Sequence, residues 1–126
     1  MGILQKVLVV DDDSDQLAVR CLLFEQNGFQ TIQAGNPADA VEAVRREKPI
    51  CAVLDLRLPD ECTGVQLVRN LKDIDPQLRI ILFTGASAER LERYPELHVV
   101  DDVVHKSSGF SSLIEKLKAH ARTMSG

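Results

Sequence analysis

No two cysteines in this sequence are spaced as CxxC. Cys21, Cys51 and Cys62 are odd in number and scattered, which argues against a zinc site or a thiol redox motif. Positive charge is also in deficit. Lys and Arg number 15 against 19 Asp and Glu, a net charge of −4 with a pI of about 5.3. Such a chain has no electrostatic reason to bind DNA or an anionic membrane. No run approaches the roughly 18 apolar residues that a membrane span needs. The opening MGILQKVLVV runs straight into DDD, without the basic leader and cleavage site of a secretory signal. A cytoplasmic location with reduced thiols is therefore expected, with Cys21 and Cys51 as small buried residues and Cys62 as a loop thiol. Repeats, linkers and low-complexity segments are absent as well. What is present is 126 residues, 44% hydrophobic and 27% charged: one domain, residues 1–126, with enough apolar surface to fold without disulfides or metal.

Along the chain, short apolar runs alternate with longer segments of helical period. Strands are expected at Lys6–Val10, Gln30–Ala34, Ile50–Asp55, Arg79–Thr84 and Val103–His105. The second alternates polar and apolar residues, as an edge strand does. Helices are expected over Ser14–Asn27, with Ser14 as N-cap and Leu17, Cys21 and Phe24 on one face, and from Asn36-Pro37 to before Pro49. The LRLPDECTG segment reads as a loop, followed by a helix over Val65–Ile74. A short helix over Ser87–Tyr94 is interrupted by Pro95, and a last one covers Phe110–Arg122. Residues Met1–Gln5 and Thr123–Gly126 read as frayed ends. Continuous apolar strands alternating with helices define an α/β fold: a doubly wound parallel sheet covered on both faces.

In an open sheet of this kind, ligands bind outside the carboxyl ends of the strands. Those ends carry Asp11 and Asp12, then Asp55, Thr84 and Lys106. Each alone is unremarkable as a turn, cap or surface residue. Together, four strands deliver three carboxylates, a hydroxyl and an ammonium to one edge. Clustered carboxylates need a cation or raised pKa values, and an oxygen-only set favours Mg²⁺ over zinc. With Lys106 as a second positive charge and Thr84 as a hydrogen-bond donor, the chemistry indicated is phosphoryl transfer.

The segments VLVVDDDSD, VLDLRLPDECTG, LFTGAS and VVDDVVHK, in that order and at those strand ends, resemble the receiver domains of two-component response regulators from about Val7 to Leu117. The resemblance implies a flavodoxin-like five-stranded sheet of order 2-1-3-4-5. It implies that Asp55 is the phosphoacceptor, that Asp12 is a direct Mg²⁺ ligand with Asp11 acting mainly through water, and that the Arg57 main-chain carbonyl is a further ligand. Thr84 and Lys106 would contact the phosphoryl group. The implied partners are a sensor histidine kinase or histidine phosphotransfer protein and a downstream protein, with a homodimer as a further option. Such a domain is not an enzyme in the ordinary sense, although it catalyses its own phosphorylation and dephosphorylation.

Four features depart from the family pattern. Four residues, DECT, stand between Pro59 and Gly64 where three are usual. Ser107 follows Lys106 in place of Pro, Val103 stands where an aromatic is common, and Pro95 shortens the fourth helix. Other readings fail on particular residues. An EF-hand over DDDSD would need Gly where Gln16 stands and Glu where Leu22 stands. Dinucleotide binding lacks its GxGxxG, and a haloacid-dehalogenase-type phosphatase would need an acid where Arg57 stands. His98, His105 and His120 share no metal-ligand spacing. The alternative that remains is a non-phosphorylated interaction module on the same fold.

Overall fold

A computed structural model describes residues 5–56 and 60–125 of the chain. Five strands, β1 (Lys6–Val10), β2 (Gln30–Ala34), β3 (Cys51–Leu54), β4 (Arg79–Thr84) and β5 (Asp102–His105), form one sheet of order 2-1-3-4-5. All its pairings are parallel. The connections are α1 (Ser14–Gln26), α2 (Pro37–Glu47), α3 (Glu61–Ile74) and α4 (Ala88–Leu91), and α5 (Gly109–Ser125) closes the fold. Strand side chains alternate between two cores, as a period of two requires. Leu8, Val10, Ala52, Leu54, Ile80 and Leu82 pack on the side of α2 and α3. Val7, Val9, Cys51, Val53, Ile81 and Phe83 pack with Leu17, Phe24, Leu113 and Leu117 of α1 and α5. Burial pushes the Cys51 thiol up to about 12 and raises that of Cys21 as well. Both are therefore neutral thiols at physiological pH, and poor nucleophiles.

The local chemistry of the helix ends explains several shifts from the sequence reading. Asp13, not Ser14, caps α1: its backbone is extended and its carboxylate accepts from the Asp15 and Gln16 amides. The DECT segment is not a loop. Asp60 caps α3 by accepting from the Thr63 amide, so the helix starts four residues earlier than expected and takes in Cys62. The extra residue before Gly64 is thus absorbed into a helical turn. Helix α4 is only Ala88–Leu91, capped by Ser87, and Pro95 opens a 3₁₀ turn over Pro95–Val99. The ends are tied down where they are described. The Gln5 amide group donates to Ala121 O at 3.2 Å, and Gln5 O accepts from the Gln30 amide at 2.9 Å.

A polar clamp joins α5 to the amino ends of β4 and β5. Arg79 Nη1 lies 2.9 Å from His120 Nδ1 and 2.7 Å from Thr123 Oγ1, while His120 Nε2 lies 2.9 Å from Asp102 Oδ2. A guanidinium only donates and a carboxylate only accepts. The arrangement that satisfies both has Nδ1 accepting and Nε2–H donating. His120→Ala is expected to cost about 1 kcal/mol of stability, because Arg79 and Asp102 each lose a partner and are left with Thr123 and Lys116. A shift of the urea midpoint with unchanged slope checks this, and an unshifted midpoint refutes it.

Candidate functional site

The register of the sheet brings the predicted residues to one edge. Val10 pairs with Leu54 and Leu54 with Leu82, so Asp11 and Asp55 leave adjacent strands at the same level. Thr84 pairs with His105, which places Lys106 one residue beyond the end of β5. Lys106 opens a 3₁₀ turn over Lys106–Ser108, and Ser107 lies within that turn.

Lys106 Nζ reaches across to Asp55 Oδ2 at 2.6 Å, linking residues 51 apart in sequence. Asp55 is buried and Lys106 is partly open to solvent. Thr84 is buried to 2% exposure, and its Oγ1 accepts from the Ala86 amide at 3.1 Å, which leaves its O–H proton for another acceptor. Asp12 is exposed and has no hydrogen-bond or ion-pair partner among the described residues. Asp11 is buried, and each of its oxygens has a partner. Its Oδ1 accepts from the Asp13 amide at 2.9 Å, and its Oδ2 lies 2.7 Å from Arg20 Nη1.

Arg20 is the residue that sequence reasoning missed. It sits on the inward stripe of α1 with Leu17, Cys21 and Phe24, is 2% exposed, and lies with its guanidinium carbon 5.1 Å from the Phe83 ring centroid. The signal was available: position 20 is three after Leu17 and four before Phe24, on the face that turns inward. A cation there has to find a counter-charge, and the nearest strand end is acidic.

Each paired carboxylate is thus drawn to its own cation, Asp11 to Arg20 and Asp55 to Lys106. Among the described residues, no three His, Cys, Asp or Glu side chains converge closely enough to hold a metal ion as they stand. Arg57, whose carbonyl was the remaining predicted ligand, lies outside the described residues. The segment leading to it is tightly held all the same. Leu56 is buried, and its backbone runs directly against Gly64 of α3.

Residues 7–118 match the response regulator receiver domain family, and the chain belongs to it: a receiver domain of the two-component kind. Among curated relatives, the sporulation initiation phosphotransferase F of Bacillus subtilis is 36% identical over 84 residues, 64% of each protein. The phosphate regulon transcriptional regulatory protein PhoB of Escherichia coli is 29% identical over 124 residues, which cover 96% of this chain and 53% of that one. The chain thus spans about half to two thirds of the length of these relatives. Among solved structures, a receiver domain protein from Clostridium thermocellum superposes with a TM-score of 0.85 at 19% identity, over 97% of this chain and 98% of that one. The response regulator TrrA of Thermotoga maritima, in complex with Mg²⁺–BeF, superposes with a TM-score of 0.82 at 24% identity, over 93% and 99%. Among the described residues, no helix is long and apolar enough to cross a membrane.

Proposed function

We propose that Asp55 accepts a phosphoryl group from a phosphohistidine on a sensor histidine kinase or histidine phosphotransfer protein, in a Mg²⁺-dependent reaction, and that the domain then signals to a downstream protein by changing shape. The observation that carries this reading is the Lys106–Asp55 pair, at 2.6 Å, at the end of the sheet where Thr84, Asp11 and Asp12 also emerge. An Asp55 carboxylate oxygen attacks phosphorus, the phosphorus–nitrogen bond breaks, and the electron pair leaves with the imidazole. Lys106 and the Thr84 hydroxyl meet the oxygens of the incoming group, so that little reorganisation is needed as charge shifts. The donors fit a hard cation, since all are oxygens. Asp11, Asp12, Asp55 and the Arg57 carbonyl would hold Mg²⁺, which when bound offsets charge on the transferring group.

The test is intact-mass spectrometry of the purified protein with phosphoramidate, with and without Mg²⁺. One phosphoryl adduct is expected in wild type with Mg²⁺, and none in Asp55→Asn. An adduct that persists in Asp55→Asn refutes the assignment. A wild type that takes up no phosphoryl group under any condition leaves the non-phosphorylated interaction module as the reading.

A further inference from the structure

The buried guanidinium of Arg20 is not needed for the phosphoryl-transfer chemistry above, and its surroundings are unusual for an arginine. It is 2% exposed, yet neither Nε nor Nη1 makes an aligned hydrogen bond. The 2.7 Å approach of Nη1 to Asp11 Oδ2 is a charge pair rather than an oriented donor–acceptor contact. A buried N–H without an acceptor is costly. Charge and the face of Phe83 therefore hold the side chain beside Asp11, at the carboxyl end of β1.

We propose that Arg20 is a built-in counter-ion that competes with the divalent cation for Asp11, so that metal enters the site only as Arg20 gives up its partner. The proposal rests on the metal-dependent reading above. Each Asp11 oxygen already has a partner, one the Asp13 amide and the other Arg20. Each oxygen keeps a second lone pair, but a dication that reaches Asp11, directly or through a bound water, comes close to the guanidinium at Oδ2 and is repelled by it, so one contact has to give. The Asp13 amide belongs to the turn into α1, whose cap is Asp13 itself, so displacing it would unravel the helix start. Arg20 is the contact that yields. Arginine stays protonated at any working pH, so a dication and the guanidinium repel each other across the same carboxylate. The outcome is an acidic pocket that is electrostatically satisfied without metal and binds metal weakly. Release also has a route onward. Arg20 lies over Phe83, the residue before Thr84, and the Phe83 ring packs 5.6 Å from Phe110 at the start of α5.

Mg²⁺ binding by calorimetry tests this on wild type, Arg20→Met and Arg20→Lys. Arg20→Met keeps the bulk of the stem and removes the charge. It is expected to bind Mg²⁺ about tenfold more tightly or better, the equivalent of about 1.4 kcal/mol. Arg20→Lys, which keeps the charge, should stay within about threefold of wild type, since the electrostatic competition is unchanged. In wild type, the Arg20 Nε–Hε NMR resonance should move in step with the Asp11 amide as Mg²⁺ is added. This measurement decides the matter if Arg20→Met does not fold. Equal affinities in wild type and Arg20→Met, or an Arg20 resonance that stays still through saturation, overturn the proposal. Phosphoramidate labelling at saturating Mg²⁺ separates the two ways to fail. If Mg²⁺ binds and Asp55 is labelled with no dependence on Arg20, only the counter-ion role falls. If no variant binds Mg²⁺ and none is labelled, the metal-dependent reading falls with it.

Discussion

Gly64→Ala is expected to destabilise the protein by about 3 kcal/mol or more, at the upper end of what overpacking costs. The sign is opposite to the usual one. Glycine inside a helix is ordinarily about 1 kcal/mol worse than alanine, and Gly64 lies within α3. Here a methyl group would overlap the Leu56 carbonyl oxygen and stand 2.5 Å from its carbon and 2.6 Å from the Leu56 Cα. Those are backbone atoms between β3 and α3, so no side chain can swing aside. Either α3 moves away from the sheet or the segment after Asp55 does. Gly35→Ala is the control. Its added methyl would find only the Asp11 carbonyl oxygen, at 3.9 Å, and its cost should stay within about 0.5 kcal/mol. Urea unfolding of both variants reads the difference. Equal midpoints for Gly64→Ala and wild type would mean that the contact is far looser than this packing indicates. Because Leu56 adjoins Asp55, phosphoryl uptake should also fall in whatever Gly64→Ala protein remains folded.

Lys106→Met is expected to slow phosphoryl uptake from phosphoramidate by about 100-fold or more, the loss typical of removing one group aimed at developing charge. Lys106 Nζ sits 2.6 Å from the Asp55 oxygen that pairs with it, so an incoming phosphoryl group arrives within its reach. Asp55 itself stays in place, and labelling should proceed slowly to the same residue. The same ammonium stabilises the transferring group in both directions, so loss of the adduct by hydrolysis should slow too. A time course by mass spectrometry measures both rates. An uptake rate within about threefold of wild type would remove Lys106 from the chemistry, since that is under 1 kcal/mol of barrier.

The strands were legible because most are short apolar runs bounded by polar residues and β2 alternates as an edge strand does, and β4 falls on Arg79–Thr84 as read from the sequence. The site residues were legible for the same reason, because a strand end is easy to find and the residues just beyond it share one edge. What escaped depends on contacts distant in sequence. Gly64 looked like the close of a loop, since nothing local shows that Leu56 runs against it. Arg20 drew no reading from the sequence, and only the geometry of α1 against β1 and β4 makes it a partner of Asp11. His120 meets Arg79 and Asp102 only because β4, β5 and α5 are neighbours. The sequence reading took Ser14 as the cap of α1 where Asp13 serves; both residue types cap well, and the pattern does not distinguish adjacent candidates.

The His120 clamp and the Asp55 site occupy opposite ends of the same strands. Arg79 and Thr84 open and close β4, about 16 Å apart at the rise of an extended chain. Between them lies a fully buried apolar stretch, Ile80 to Leu82, with no polar side chain to relay a change. Substitutions so far apart with no shared partner combine additively. Sequence drift at the clamp can therefore raise or lower the thermal margin of this domain without altering what Asp55 meets, and lineages living at different temperatures are free to vary one end while keeping the other.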